Sequence, residues 1–364
     1  MKRTLLHTSL PLVLSLMTLG ARASVGALSG PYTHQNLQVF LVLGDTHLDH
    51  RHYLTLSEAL AKGLVVVKET GNVQELSVEN LSKELTVFIN AGDIVKGGRQ
   101  DRTVRDDLIL PPQSGPVPLA SFCVEHGRWT RRGQEDTAAF SGNTKTLSSR
   151  KQKLAARYGL SQSEVWSGVA EQQLALNENL SRLAGKSVDT RNAVSGSSLQ
   201  LTLEDKDLET VRRQYLDRLS PILAKATNVM GFVYAINGEI NSAEVYDNKS
   251  LFRALWPKLL DAAVTEAITE CKTERQIQPI TPAELKTFFE TALSGSIKER
   301  SIGKSTRVRV YTTPTTVLFE TLDLEAGDAW IHKSFINQGK ETVIVPLDRD
   351  SRQSRPQIQS GLLR

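Results

Sequence analysis

Between Asn90 and Trp129 the chain gathers the residue types that can do chemistry. Cys123 is a potential nucleophile, and Glu125 or His126 beside it can carry a proton. With arginines stabilising the negative charge that develops, this set has the parts of a covalent hydrolase. Gln100, Arg102, Asp106, Glu125, Arg128 and Trp129 equally suit ligand binding. Arg102 and Arg128 offer planar, charge-assisted donors to an anionic or carbonyl group. Gln100 adds directional hydrogen bonds, Glu125 orients an arginine, and Trp129 supplies a flat apolar wall. Arg102, Asp106, Glu125 and Arg128 can also satisfy one another as an internal ion-pair network that fixes strand register. The residues alone leave all three uses open.

Two extended segments and a turn must position these side chains. Alternation from Gln100 to Leu110 puts Gln100, Arg102, Val104, Asp106, Leu108 and Leu110 on one face, so three polar groups point with core residues. Pro111, Pro112 and Gly115 break the run. Val117 to Glu125 is apolar on both faces, which suits a central strand. Cys123 and His126 fall on opposite faces of it, so a thiolate–imidazole pair requires the turn at Gly127 to fold His126 back.

Other motifs fail on their missing partners. Asp45-Thr46-His47, with Asp49, His50 and His52, has the look of a metal-ligand cluster, and Gly92-Asp93 adds a likeness to calcineurin-type metallophosphoesterases. Gly142-Asn143 is followed by Thr144, however, and only His126 and His332 lie downstream of Gly92. A polar loop before a helix is the expectation there. Ser301-Ile-Gly303-Lys304-Ser305 lacks the earlier glycine of a phosphate loop, because Lys298 stands in its place. No Gly-x-Ser-x-Gly elbow occurs. No cofactor or metal is expected.

The chain of 364 residues opens with Lys2 and Arg3, an apolar stretch from Leu10 to Gly20, and Ala21-Arg22-Ala23. These are the parts of a secretory signal peptide, with cleavage expected after Ala23. The stretch is too short to be a comfortable membrane span, so a soluble periplasmic or extracellular protein is expected, with no membrane insertion after cleavage. The formal charge of +4 loses three cations with the leader and falls to +1. A near-neutral chain gives no global case for nucleic-acid binding, which needs a basic face. The two cysteines, Cys123 and Cys271, would be permitted a disulfide in an oxidising compartment, worth about 4–5 kcal/mol in the chain-entropy model. A buried, inert thiol at Cys123 is the alternative.

The expected fold is α+β: a β-rich N-terminal half packed with a helical middle, a β-hairpin and C-terminal strands. The divisions are a signal peptide over 1–23, a β-rich region over 24–132, a polar loop over 133–149, an α+β region over 150–348 of the same or a closely packed domain, and a polar tail over 349–364. Strands are predicted at 38–44, 64–68, 76–80 and 85–90. A helix capped at Ser161 or Ser163 carries Val169, Leu176 and Leu180 on one stripe, and a second covers about 204–226 with a kink at Pro221. Asn237-Gly238 between apolar runs predicts a type I′ hairpin. A helix follows with Phe252, Trp256, Leu259 and Ala263, and Thr281-Pro282-Ala283-Glu284 starts another by cap, N1 proline and capping box. Strands are expected at 307–311, 316–322, 330–335 and 342–346.

Several runs carry a family likeness: Tyr53-Leu-Thr-Leu-Ser-Glu-Ala-Leu, Gly98-Arg-Gln100-Asp-Arg102, Cys123-Val-Glu125-His-Gly127-Arg128-Trp129, Val233-Tyr-Ala-Ile-Asn-Gly238, Glu244-Val-Tyr-Asp247 and Leu255-Trp-Pro-Lys-Leu259. In these the chain resembles the ARG and rhodanese-phosphatase-superfamily-associated protein domain, where ARG abbreviates ADP-ribosylglycohydrolase. The resemblance implies an association with ADP-ribose and phosphate-ester enzymes, and a nucleotide-like or phosphate-bearing ligand. A second acidic residue that the family pattern implies after Gly92-Asp93 is replaced here by Ile94. The leading expectation is a secreted protein binding a small anionic, nucleotide-like ligand where the two segments meet. A Cys123 hydrolase and a non-enzymatic structural or partner-binding module are the alternatives.

Overall fold

The computed structural model describes residues 13–14, 26–130, 132–272 and 277–339. The expected leader falls almost wholly outside these residues, and the strand expected at 342–346 and the polar tail fall entirely outside them.

Strands form three sheets. The members of the largest are β1 (Val13–Leu14), β2 (Ala27–His34), β3 (Leu37–Leu43), β13 (Val229–Ile236), β14 (Glu239–Tyr246), β15 (Ser296–Ile302), β16 (Thr306–Thr312), β17 (Thr316–Asp323) and β18 (Ala329–Asn337). These nine strands run in the order β1-β2-β3-β13-β14-β18-β17-β16-β15 and are antiparallel throughout. A closed barrel joins β5 (Val65–Asn72), β6 (Glu75–Asn80), β8 (Asp93–Gly97), β9 (Arg102–Val104), β11 (Gly115–Cys123) and β12 (Ala139–Leu147). A three-stranded sheet of β4 (Tyr53–Thr55), β7 (Thr86–Ile89) and β10 (Leu108–Leu110) stands beside them.

The helices are α1 (Leu56–Ala61), α2 (Arg150–Arg157), α3 (Gln162–Ala184), α4 (Leu199–Leu203), α5 (Lys206–Leu219), α6 (Lys249–Thr269) and α7 (Pro282–Leu293). One face of the large sheet packs Val39, Leu41 and Phe232 against Phe252, Trp256 and Leu260 of α6. Its other face sets Phe40, Val42 and Val233 against Phe288 and Phe289 of α7. Because both faces are covered, β13 is buried at every residue. The barrel interior is filled by Val67, Leu76, Val78, Val95, Val104, Leu119 and Phe140, so it is a packed core.

Local signals act as expected. Ser161 caps α3, and Thr281 and Glu284 complete a capping box on α7 with Pro282 in its first turn. Asn237 and Gly238 turn the β13–β14 hairpin with φ of 52° and 79°, the positive values that a type I′ turn demands. At Pro221 the second helix changes to a 3-10 turn over Ser220–Lys225, since proline removes a helical donor.

Two expectations are corrected. The segment 133–149 is no loop: it contains β12, which closes the barrel by pairing with β5 and β8. Its ladder with β8 shifts register between Phe140 and Gly142 and between Asn143 and Leu147, and such bulges erase the alternation by which a strand is read. The run from Gln100 to Leu110 is likewise not one strand. It bends at Arg105–Asp107, leaving β9 in the barrel and β10 in the small sheet. Buried carboxylates at the bend hold partners in other elements, so Asp106 leaves the face it would share with Gln100 and Arg102.

Candidate functional site: a charge cluster, an interlayer relay and a polar cleft

Downstream of β11 the chain turns back over the end of the barrel and brings cations onto buried acids. Asp101 and Glu125 are fully buried. Arg132 grips Asp101 at two points, Nη1 to Oδ2 at 2.8 Å and Nη2 to Oδ1 at 3.0 Å, and also donates to Glu135 at 2.9 Å. Arg128 Nη2 lies 2.7 Å from Glu125 Oε2. Gln100 Nε2 donates to the Glu125 carbonyl at 2.9 Å, and Arg102 Nη1 donates to the Gln100 carbonyl at 3.0 Å. Arg102 is fully buried and pairs with Glu69 at 3.5 Å. Trp129, partly exposed, has the guanidinium groups of Arg99 and Arg102 within 5.4 and 5.5 Å of its ring, in reach of cation–π attraction.

Gln100, Arg102, Glu125, Arg128 and Trp129 therefore do converge, and Asp106 does not join them. Asp106 binds Arg105 at 2.7 Å and Arg300 of β15. Burial would raise its pKa, but Arg300, Arg105 and Arg157 outweigh that and hold it below the ordinary carboxylate range. Arg102, Arg128 and Arg132 each already face a carboxylate of the same chain. Arg102, Glu125 and Arg128 thus sit in an internal ion-pair network without Asp106, and Glu69, Asp101 and Arg132 are members that the strand alternation did not reveal.

Cys123 is buried, with its Sγ 3.8 Å from the Val73 carbonyl. Burial pushes the thiol up to about 11 despite the nearby Arg102, so the thiolate needed for attack is disfavoured in this arrangement. His126 is exposed and sets its ring edge-on to Trp166 at 4.5 Å, so the Cys123–His126 dyad is not formed. Cys123 and Cys271 are both free thiols. Among the described residues no group of three or more His, Cys, Asp and Glu side chains is arranged to hold a metal ion. The histidine-rich loop docks instead: His47 bonds Asp247 at 3.1 Å, and Asp49 accepts from the Lys249 amide at 2.8 Å.

A second polar system, invisible to the reading of single segments, lies between the large sheet and the barrel. His332 of β18 touches Asp107 through Nδ1 at 2.8 Å and Glu244 of β14 through Nε2 at 2.9 Å. Lys153 of α2 reaches Glu244 at 2.9 Å, and Arg157 lies 3.6 Å from Asp107. Asp107 also accepts from Thr321 at 2.5 Å and the Ala91 amide at 2.7 Å. Tyr246 stacks on His332 at 4.1 Å and donates to Asn90 at 2.7 Å, while Lys258 of α6 binds Asp93 at 2.5 Å. Burial lowers the His332 pKa, but the flanking Asp107 and Glu244 outweigh it and raise the value above the ordinary one. These groups have no surface to meet a substrate; they tie three layers together. Glu244 shares β14 with Glu239, Asn241 and Ser242, so strand composition does not single it out.

Beside this relay opens a cleft of about 530 Å³ between β8, β12 and the helices α4 to α6, whose lining sets four cations, Lys96, Lys145, Arg212 and Arg213, among four carboxylates, Glu204, Glu209, Asp217 and Asp261. Arg212 Nη1 donates to Asp261 Oδ2 at 3.2 Å on the floor. Burial raises the Asp261 pKa, partly offset by Arg212, Thr146 and Lys145. Arg212 and Gln200 are both more than nine-tenths buried, yet Arg212 Nε and Gln200 Oε1 have no hydrogen-bond partner among the described residues. At the rim Lys96 meets Glu204 at 3.0 Å. The α4 wall is fixed by the charge cluster: its N-cap Ser198 accepts from Arg132 at 3.2 Å and donates to Asp101 at 3.3 Å.

Taken together these features define an α+β domain in which a filled six-stranded barrel and a helical layer pack beside a nine-stranded antiparallel sheet, with a polar cleft where barrel and helices meet. The model of the ARG and Rhodanese-Phosphatase-superfamily-associated Protein domain matches residues 27–336, and the chain belongs to that family. No curated protein and no solved structure matches the chain.

Proposed function

We propose that this domain is a binding module for a small polar, nucleotide-like ligand and that the ligand occupies the cleft between β12, α4, α5 and α6. The observation that carries the reading is an open cavity of ligand size, about 530 Å³, whose lining brings together four cations and four carboxylates from separate elements. Lys145 and Arg213 line the same cleft and can face a phosphate on the ligand. Family membership associates the domain with ADP-ribose and phosphate-ester enzymes by name, which makes ADP-ribose and AMP the first compounds to try.

The test is thermal unfolding of the protein with ADP-ribose, AMP, inorganic phosphate and simple sugars, repeated on Leu216→Trp, which fills the cleft without removing a charge. A compound at about a hundred times its dissociation constant stabilises by roughly 2.7 kcal/mol, and the variant should lose that gain. A panel with no effect on the wild type, or an effect that Leu216→Trp leaves intact, would remove the cleft from consideration. The proposal includes the exported setting expected from the N-terminal leader; an intact mass of secreted protein beginning at Ser24 would support it, and retention of the full chain in the cytoplasm would oppose it.

A further inference from the structure

We infer that the binding site does not end at the cleft but continues past Glu204 into a second cavity, so that its ligand is an elongated molecule of two linked units. The inference rests on the ligand-binding reading above and adds the length of the ligand to it. Glu204 lines the cleft and also a cavity of about 520 Å³, whose other walls include Thr190, Arg191 and Asn192 of the segment after α3. Both α4 and α5 run along the two spaces. Leu203 lines the first and Leu201 the second, while on α5 Glu209 and Arg212 line the first and Lys206 and Asp207 the second. Each volume falls within the range of roughly 300–1,000 Å³ that small-molecule sites occupy. One nucleotide-sized unit therefore fills one cavity and leaves the other for a second unit.

Glu204 is a sill between the cavities and not a seal. Lys96 Nζ meets it at 3.0 Å and Gln200 Nε2 donates to it, yet its side chain is 48% exposed and that of Lys96 32%, so a ligand can cross above the pair without breaking it. The far wall is fixed as well. Thr190 donates to Asn177 of α3 through its amide and its Oγ1, both at 2.8 Å, and Asp189 holds Arg191 at 2.7 Å. Charge is divided between the two spaces in the same way. Arg212 is committed to Asp261, Arg213 to Glu209 and Arg191 to Asp189. Among the described residues no ion pair engages Lys145 in the cleft or Lys206 in the second cavity, and both lysines are exposed. A ligand with negative charge along its length thus meets one uncommitted ammonium on each side of Glu204. The class that fits is a nucleotide joined through phosphate to a second sugar or nucleotide.

The experiment is calorimetric titration of the full chain with AMP and with ADP-ribose, on the wild type, on Lys206→Glu and on Asn192→Trp. ADP-ribose should bind at least about tenfold more tightly than AMP, because its second unit engages the second cavity as an intramolecular event. Lys206→Glu reverses the charge there at an exposed position, and Asn192→Trp fills the space without removing a charge; each should shrink the ratio of the two affinities towards one. Should either variant fail to fold, the other supplies the same ratio. Equal affinity of the wild type for AMP and ADP-ribose, or a ratio that the variants leave intact, overturns the second cavity while leaving a ligand in the cleft. Absence of binding by both probes overturns the cleft reading and this inference together.

Discussion

Arg132 and Asp101 meet through two parallel hydrogen bonds of 2.8 and 3.0 Å, with the carboxylate fully buried. Fork-to-fork pairing of this kind fixes direction as well as distance. It clamps the return loop after β11 onto the barrel, and through Ser198 it also sets α4, a wall of the cleft. Arg132 and Asp101 thus support the cleft from behind.

Removing one member of that pair leaves an unpaired buried charge. Arg132→Gln is expected to destabilise the fold by about 3–5 kcal/mol, read by urea denaturation. The double variant Arg132→Gln with Asp101→Asn should recover part of the loss, because both charges are then gone. A double variant no better than the single one would show that the charge is not what matters.

Stability should depend on pH through His332 and Glu244. The His332 pKa is raised in the fold above its ordinary 6.5, so its contribution is full below 6.5 and is lost as pH rises through the folded value. Glu244 is held down to about 2 from 4.5, because Lys153 and His332 outweigh the upward push of burial. Its contribution is full above 4.5 and is lost as pH falls towards 2. The network therefore contributes most between pH 4.5 and 6.5. Urea melts across this range should show a plateau there with losses on both sides, and His332→Gln should flatten the alkaline side. A wild type whose stability does not change above pH 6.5 would contradict this.

Thiol labelling separates the two cysteines. Cys271 is partly exposed and Cys123 is buried with its thiol pushed up to about 11. Iodoacetamide near neutral pH should modify one cysteine in the folded protein and two after denaturation, with the slow site mapped to Cys123. Rapid modification of Cys123 in the folded state would revive the nucleophile.

Gly238→Ala tests the hairpin. Gly238 has φ of 79°, and an added Cβ would sit 3.1 Å from the Gln278 carbonyl oxygen. A loss of about 1–2 kcal/mol is expected from the left-handed backbone, measured by chemical denaturation with the m-value unchanged.

How far the sequence could be read follows from how local each determinant is. Asn237-Gly238, the Ser161 cap and the Thr281–Glu284 capping box act within a few residues, and each appears where it was expected. The α+β class followed from the same signals. β12 was missed because a barrel strand with two register shifts no longer alternates. The site was only half legible. Gln100 and Arg102, just before and at the start of β9, meet Glu125, Arg128 and Trp129 of the turn after β11, whereas Asp106 is drawn off by Arg300, almost two hundred positions along the chain. The cleft was unreadable, since Thr146, Gln200, Arg212 and Asp261 arrive from four separate elements.

The pairing of β3 with β13 sets Leu41 opposite Phe232. During synthesis β3 can pair with β2 at once, but its other edge must wait for a partner made roughly 190 residues later, and closing so long a loop is costly before any contact rewards it. Completion of the sheet therefore follows the making of β13, whereas β2 and β3 can pair as soon as both exist. Until β13 emerges, that edge of β3 keeps its backbone donors and acceptors unpaired, so the window for a holding factor is written into the strand order itself.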